Sequence, residues 1–158
     1  MYTGIQFELP FDYQPEDTIQ GMIANIAIEP YLWRVDSLWG EEQWGEEYCS
    51  QKGIIPFAEK TYSCTEFSRL VNQKQCFIFL HLSRWSKDAA PYKIATYCDY
   101  LNSECDFMLL CYDACYFEIY SKDENVIINL ADYLHAKYFI NIECFANHNS
   151  PRKTLSIL

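Results

Sequence analysis

Apolar and polar positions alternate at the start of the chain. Ile5, Phe7 and Leu9 are separated by Gln6 and Glu8, the period-two pattern of a strand with one buried face, and Pro10 ends it. The period then changes. Pro15-Glu16-Asp17 reads as a helix first turn, with proline at the start and acids near the positive end of the dipole. Ile19, Met22, Ile23 and Ile26 follow at helical spacing, and Gly21 weakens that helix slightly. Tyr31, Trp33 and Val35 alternate with Leu32, Arg34 and Asp36, which predicts a second strand. Ser63-Cys64-Thr65-Glu66 matches a capping box ahead of Phe67, Leu70 and Val71.

Cys76–Leu82 is apolar except for His81, so it predicts an inner strand covered on both faces. Residues 83–91 read as a loop. Thr96 and Asp99 repeat the capping signal for a short helix over 97–104. Two apolar runs, Phe107–Tyr112 and Cys115–Tyr120, flank Asp113-Ala114. A two-residue turn there sets Met108, Leu110 and Tyr112 beside Cys115, Phe117 and Ile119. The opposite face then holds Phe107, Leu109 and Cys111 with Tyr116, Glu118 and Tyr120. Asp-Ala is not the favoured Asp-Gly, and one bent strand is the alternative. Ser121 and Glu124 read as the cap of a helix whose Val126, Ile127, Leu130, Ala131, Leu134 and Tyr138 share a face. Phe139–Phe145 reads as a last core strand, 147–151 as a loop and Thr154–Leu158 as a short edge strand. The order β-α-β, loop, α-β, α, β-β-α-β predicts an α+β fold, one domain over 1–158. It would be a mixed, mostly antiparallel sheet of about five to seven strands with about four short helices packed on it.

The segments YCDYLNSECDFMLLCYDACYFEIYSKD and GIQFELP resemble, in their strand-turn-strand and their N-terminal strand, an uncharacterised bacterial family of small α+β proteins. The resemblance covers most of the chain and rests on residues of structural type. The family has no assigned activity, so the resemblance implies no catalytic or binding residue. The doublet Trp39-Gly40-Glu41-Glu42 and Trp44-Gly45-Glu46-Glu47 departs from the family's pattern, as does the richness in cysteine.

Charge changes the picture most. The net charge is −10. The first 50 residues hold ten carboxylates against Arg34, a balance of −9, and the remaining 108 carry −1. That field opposes nucleic acid and anionic membrane and favours a basic partner. The opening MYTGIQFELPFDYQPED lacks the basic start and apolar run of a secretion signal. No apolar run is long enough to span a bilayer. The expectation is a cytoplasmic protein, with its eight cysteines reduced and mostly serving as small buried hydrophobes.

Candidate chemistry is sparse. There is no C-x-x-C pair, and Cys111 and Cys115 would fall on opposite faces of a hairpin, so zinc has little support. Glu41, Glu42, Glu46 and Glu47 lack the spacing of a calcium loop. With five glycines and no Gly-rich loop, phosphate binding has none. His81, His135 and His148 sit in no catalytic signature. His148, in an Asn-rich loop, is the best placed of the three. Paired carboxylates for glycoside chemistry depend on spatial separation and stay open. No cofactor is expected. The reading that remains is a non-enzymatic acidic binding protein, of the immunity type that neutralises a basic protein. Its contact surface would be Trp39, Glu41, Glu42, Trp44, Glu46, Glu47 and Tyr48, where aromatic anchors are ringed by steering charge. Trp39–Gly53 reads as a hairpin tip or an extended loop, and its acidic stretch is either such a surface or a solvated loop whose rings fold back onto the core. The alternative function is a small cytosolic enzyme with a Cys/His site in the sheet pocket.

Overall fold

The structure, a computed structural model, describes residues 1–10, 12, 18–40, 53, 58–73 and 77–146, with the side chains of 37–40 excepted. Among the described residues seven strands form one sheet: β1 (Gly4–Glu8), β2 (Leu32–Gly40), β3 (Thr61–Tyr62), β4 (Phe77–Trp85), β5 (Cys105–Tyr112), β6 (Tyr116–Ser121) and β7 (Ile140–Phe145). Their order across the sheet is β3-β2-β4-β5-β6-β1-β7. Every neighbouring pair is antiparallel, so the parallel component that a mixed sheet would bring is absent among the described residues. Four described helices accompany it: α1 (Thr18–Ile23), α2 (Cys64–Val71), α3 (Tyr97–Asn102) and α4 (Glu124–Ala136).

The two faces of the sheet carry separate cores. Ile5, Phe7, Trp33, Val35, Leu80, Leu82, Leu109 and Ile119 lie under α1, α2 and α4. Trp85, Met108, Leu110, Tyr120 and Phe145 lie on the other face, with Ile94 and with Tyr100 of α3. Alternate residues of β5 therefore feed different cores, and an inner strand must be apolar at nearly every position. Trp33 anchors the first core. Its ring stacks 4.1 Å from Phe67 and its Nε1 donates to the Ile28 carbonyl at 3.2 Å.

Local signals behave as their chemistry demands. Ser63 and Glu66 form a reciprocal capping box on α2, and Thr96 and Asp99 do so on α3. At α4 the cap moves. Asp123, not Ser121, accepts from the Asn125 amide, while the Ser121 hydroxyl accepts from the Asp123 amide and closes β6. That helix ends in a Schellman turn, where Phe139 N–H donates to Leu134 O at 3.1 Å. Tyr138 takes the left-handed position with φ 62° and is 83% exposed, so it leaves the apolar face assigned to it.

Four further expectations change. Ser83, Arg84 and Trp85 belong to β4 rather than a loop, because Arg84 is neutralised by a two-pronged ion pair to Asp106 at 2.9 Å. β2 runs on through Trp39 and Gly40, which pair with Phe79 and Phe77. The β5–β6 connection has three residues, since Tyr112 faces Tyr116. Asp113 and Ala114 both adopt positive φ there. One added residue reverses the side-chain partnership: Cys111 meets Phe117 and Leu110 meets Glu118. Finally, β7 is an edge strand of the described sheet, and Ile140, Asn141 and Glu143 are exposed. The expected elements at 147–151 and 154–158 lie outside the described residues.

Candidate functional site

β1 enters the sheet between β6 and β7, and this placement builds a cleft. Glu8 stands between Tyr116 of β6 and Ile140 of β7, and Gln6 stands between Glu118 and Glu143. Between these two rows Phe7 alone faces both Asn141 and Ile142, a β-bulge. Asn141 absorbs the extra residue with φ 54°, a conformation that asparagine tolerates better than most side chains. The result is a cavity of about 530 Å³ lined by Gln6, Glu8, Tyr112, Tyr116, Asn141 and Glu143, together with Phe7, Phe117 and Ile142.

Tyr112 and Tyr116 form the last pair before the hairpin turn. Their rings stack with centroids 5.5 Å apart and planes 13° apart. Beneath them Glu118 is buried and accepts from the Tyr112 and Tyr120 hydroxyls, both at 3.0 Å. The stack is thus held from below by a carboxylate whose two oxygens are each hydrogen-bonded. On the other wall, Gln6 Nε2 donates to Glu143 Oε2 at 2.8 Å. No cation among the described residues lines the cavity. Neither Glu8 nor Glu143 is in an ion pair among the described residues, whereas Asp36, Asp106 and Glu124 each are. The arrangement presents negative charge and a flat aromatic surface. Chemically, carboxylates beside an aromatic face suit a cation.

Two other polar features lie apart from this cleft. A smaller cavity of about 250 Å³ is lined by Met1, Thr3, Tyr97, Tyr100, Leu101, Ser121 and Lys122. On β4, His81 is fully buried and neither ring nitrogen has a hydrogen-bond partner. Burial, reinforced by Lys93 and Arg34, holds its pKa down at about 4. Neighbouring Asp36 bonds Arg34 through Oδ1, and burial pushes its carboxyl up from the ordinary value. Among the described residues, neither cavity is lined by cysteine or histidine, and no group of three metal-ligating side chains occurs.

Of the contact residues expected from sequence, only Trp39 is placed, and only by its backbone opposite Phe79. Glu41, Glu42, Trp44, Glu46, Glu47 and Tyr48 lie outside the described residues. The sequence does not mark the cleft residues, because each reads as an ordinary strand position. Gln6 and Glu8 alternate with core positions, and Glu143 sits in an apolar run that reads as core. The available signal was a pair of acids on two strands of opposite ends of the chain, and pairing them requires knowing that β1 and β7 are neighbours.

The geometry defines an antiparallel α+β protein with an acidic, tyrosine-floored cleft at one edge of its sheet. The chain belongs to the family described as "Protein of unknown function (DUF2691)", whose model matches residues 2–156. It is 23% identical over 163 residues to the Uncharacterized protein YncE of Bacillus subtilis (strain 168), covering 99% of this chain and all of that one. No solved structure matches significantly. No helix among the described residues is long and apolar enough to cross a membrane.

Proposed function

We propose that the protein is a non-enzymatic binder of a basic protein, and that the partner places a cationic group in the cleft over β1, β6 and β7. The observation that carries this is the pair Glu8 and Glu143, which share one cavity with stacked tyrosines and have no cationic neighbour among the described residues. Unpaired carboxylates in a concave site repel each other, and a bound cation relieves that repulsion. The charge balance of −9 in the first fifty residues supports long-range steering of such a partner. Trp39, Trp44 and Tyr48 with the four glutamates between them would extend the contact. Neutralisation of a basic toxin by an immunity-type protein is one form of this function and fits by composition, as an analogy. The six described cysteines stand as free thiols, which supports a cytoplasmic setting.

The test is affinity capture from the native cell with tagged protein. Wild type is compared with the double reversal Glu8→Lys/Glu143→Lys at about 50 mM and 500 mM salt, concentrations that bracket strong and weak screening. Wild type should retain a basic protein, identified by mass spectrometry, at low salt. High salt and the reversal should each reduce it at least tenfold. Equal retention by both proteins, or a partner that is not basic, would refute the proposal.

A further inference from the structure

The cleft's geometry points to one kind of cation. We propose that it is a receptor for an arginine side chain of the partner. The guanidinium would lie flat on the outer face of Tyr116, with its edges bonded to Glu8 and Glu143. This deepens the function proposed above and rests on it.

The tyrosine stack selects for shape. Rings 5.5 Å apart and nearly parallel leave no room for a cation between them, so the outward face of Tyr116, which is 37% exposed, is the surface on offer. Tyr112 backs that ring, and its hydroxyl is fixed on buried Glu118 at 3.0 Å, so the platform is set before any ligand arrives. Glu8 stands directly across from Tyr116 in the strand register, a separation of about 5 Å between β-carbons. Glu143 is held by Gln6 through Oε2, and its Oε1 has no partner among the described residues. A planar ion with donors around its rim can stack on the ring and meet both carboxylates at once. A lysine ammonium, compact and strongly hydrated, can do one or the other.

The protein already builds this chemistry for one of its own residues. The Arg84 guanidinium lies 4.1 Å over the Tyr31 ring while Nε and Nη2 bond the two oxygens of Asp106 at 2.9 Å each. The cleft offers the same pieces, an aromatic face and rim carboxylates, without an arginine among the described residues.

The experiment is an NMR titration of the isotope-labelled full chain with three probes: N-acetyl-arginine amide, N-acetyl-lysine amide and N-acetyl-citrulline amide. Citrulline has nearly the shape of arginine and no charge. The arginine probe should shift the amides of Glu8, Tyr116 and Glu143 saturably. The lysine probe should bind at least fivefold more weakly, and citrulline should give no saturable shift. Glu8→Gln/Glu143→Gln keeps the side-chain shapes and should weaken the arginine probe about tenfold, and Tyr116→Leu should weaken it several-fold. If Tyr116→Leu loses the dispersed spectrum of a folded protein, the glutamine pair decides alone. Equal binding of lysine and arginine, shifts centred elsewhere, or indifference to the glutamine pair would overturn the arginine assignment. Capture of a basic partner without any arginine-probe binding would also overturn it, leaving the broader function standing. Selective arginine binding without a basic partner would instead sink the proposed function and keep the site.

Discussion

Single residues decide how closely the sheet can be dressed. Gly4 lies opposite Phe145, and a β-carbon there would meet the Phe145 ring at 2.3 Å and the Ile119 carbonyl at 2.9 Å. The ring occupies the space that a side chain would need, so the glycine is a packing requirement. His81 is the opposite case, a polar group enclosed without partners. Its folded pKa of about 4 lies below the ordinary value of 6.5. Between those values the unfolded chain binds more protons than the folded one, so stability falls as the pH falls, and the loss is complete below pH 4. The shift corresponds to about 3 kcal/mol. Asp36 pulls the other way just above the ordinary carboxylate range, since its raised pKa makes the folded state bind protons first. Comparing the wild type with His81→Leu isolates the histidine. Denaturant midpoints measured from pH 7 to pH 4 should fall more steeply for the wild type, and parallel curves would show that His81 contributes nothing to the acid response.

At the scale of elements, burial separates positions that look alike in sequence. β4 reads as one apolar run, yet Leu80 and Leu82 are fully buried while Ile78 and Phe79 are half-buried. Leu80→Ala or Leu82→Ala should cost about 2–5 kcal/mol, and Ile78→Ala roughly half as much, because transfer and cavity contributions both scale with burial. Urea denaturation ranks them, and an equal cost at all three positions would contradict the placement of β4. The β5–β6 hairpin shows how an element can be recognised and still be mispaired. Its strands are evident from composition. Its register is set by Asp113 and Ala114 taking positive φ and by the Ala114 amide donating to Ile78 O at 3.1 Å, a contact with a third strand. The partnership of Tyr112 with Tyr116, and so the floor of the cleft, follows from that extra turn residue.

Across the whole molecule, the two cores enclose two of the six described cysteines. Cys105 and Cys111 are buried, with Sγ donating to Phe107 O at 3.3 Å and Phe77 O at 3.7 Å, and burial pushes the Cys105 thiol up to about 12. Cys64, Cys115 and Cys144 are half-buried and Cys98 is exposed, a wider spread than uniform burial would give. Brief alkylation of native protein, mapped by mass spectrometry, should label Cys98 first and leave Cys105 and Cys111 unmodified until denaturant is added. Early labelling of Cys105 would mean that the second core opens readily. The amino-acid sequence by itself determined the α+β class, the apolar character of β4 and β5, the capping boxes at Ser63 and Thr96, the acidic imbalance and the family. These depend on neighbours within a few residues or on sums over the chain, and periodicity, capping and charge record such things directly. Tertiary structure decided that Ser83–Trp85 is strand, because Asp106 neutralises Arg84 from 22 positions away. It decided that β7 is an edge. It also brought Glu8 and Glu143 into one cleft by laying the first strand beside the last. Residues 135 positions apart carry no local sign of each other, since strand pairing is chosen by the burial of both faces of the finished sheet.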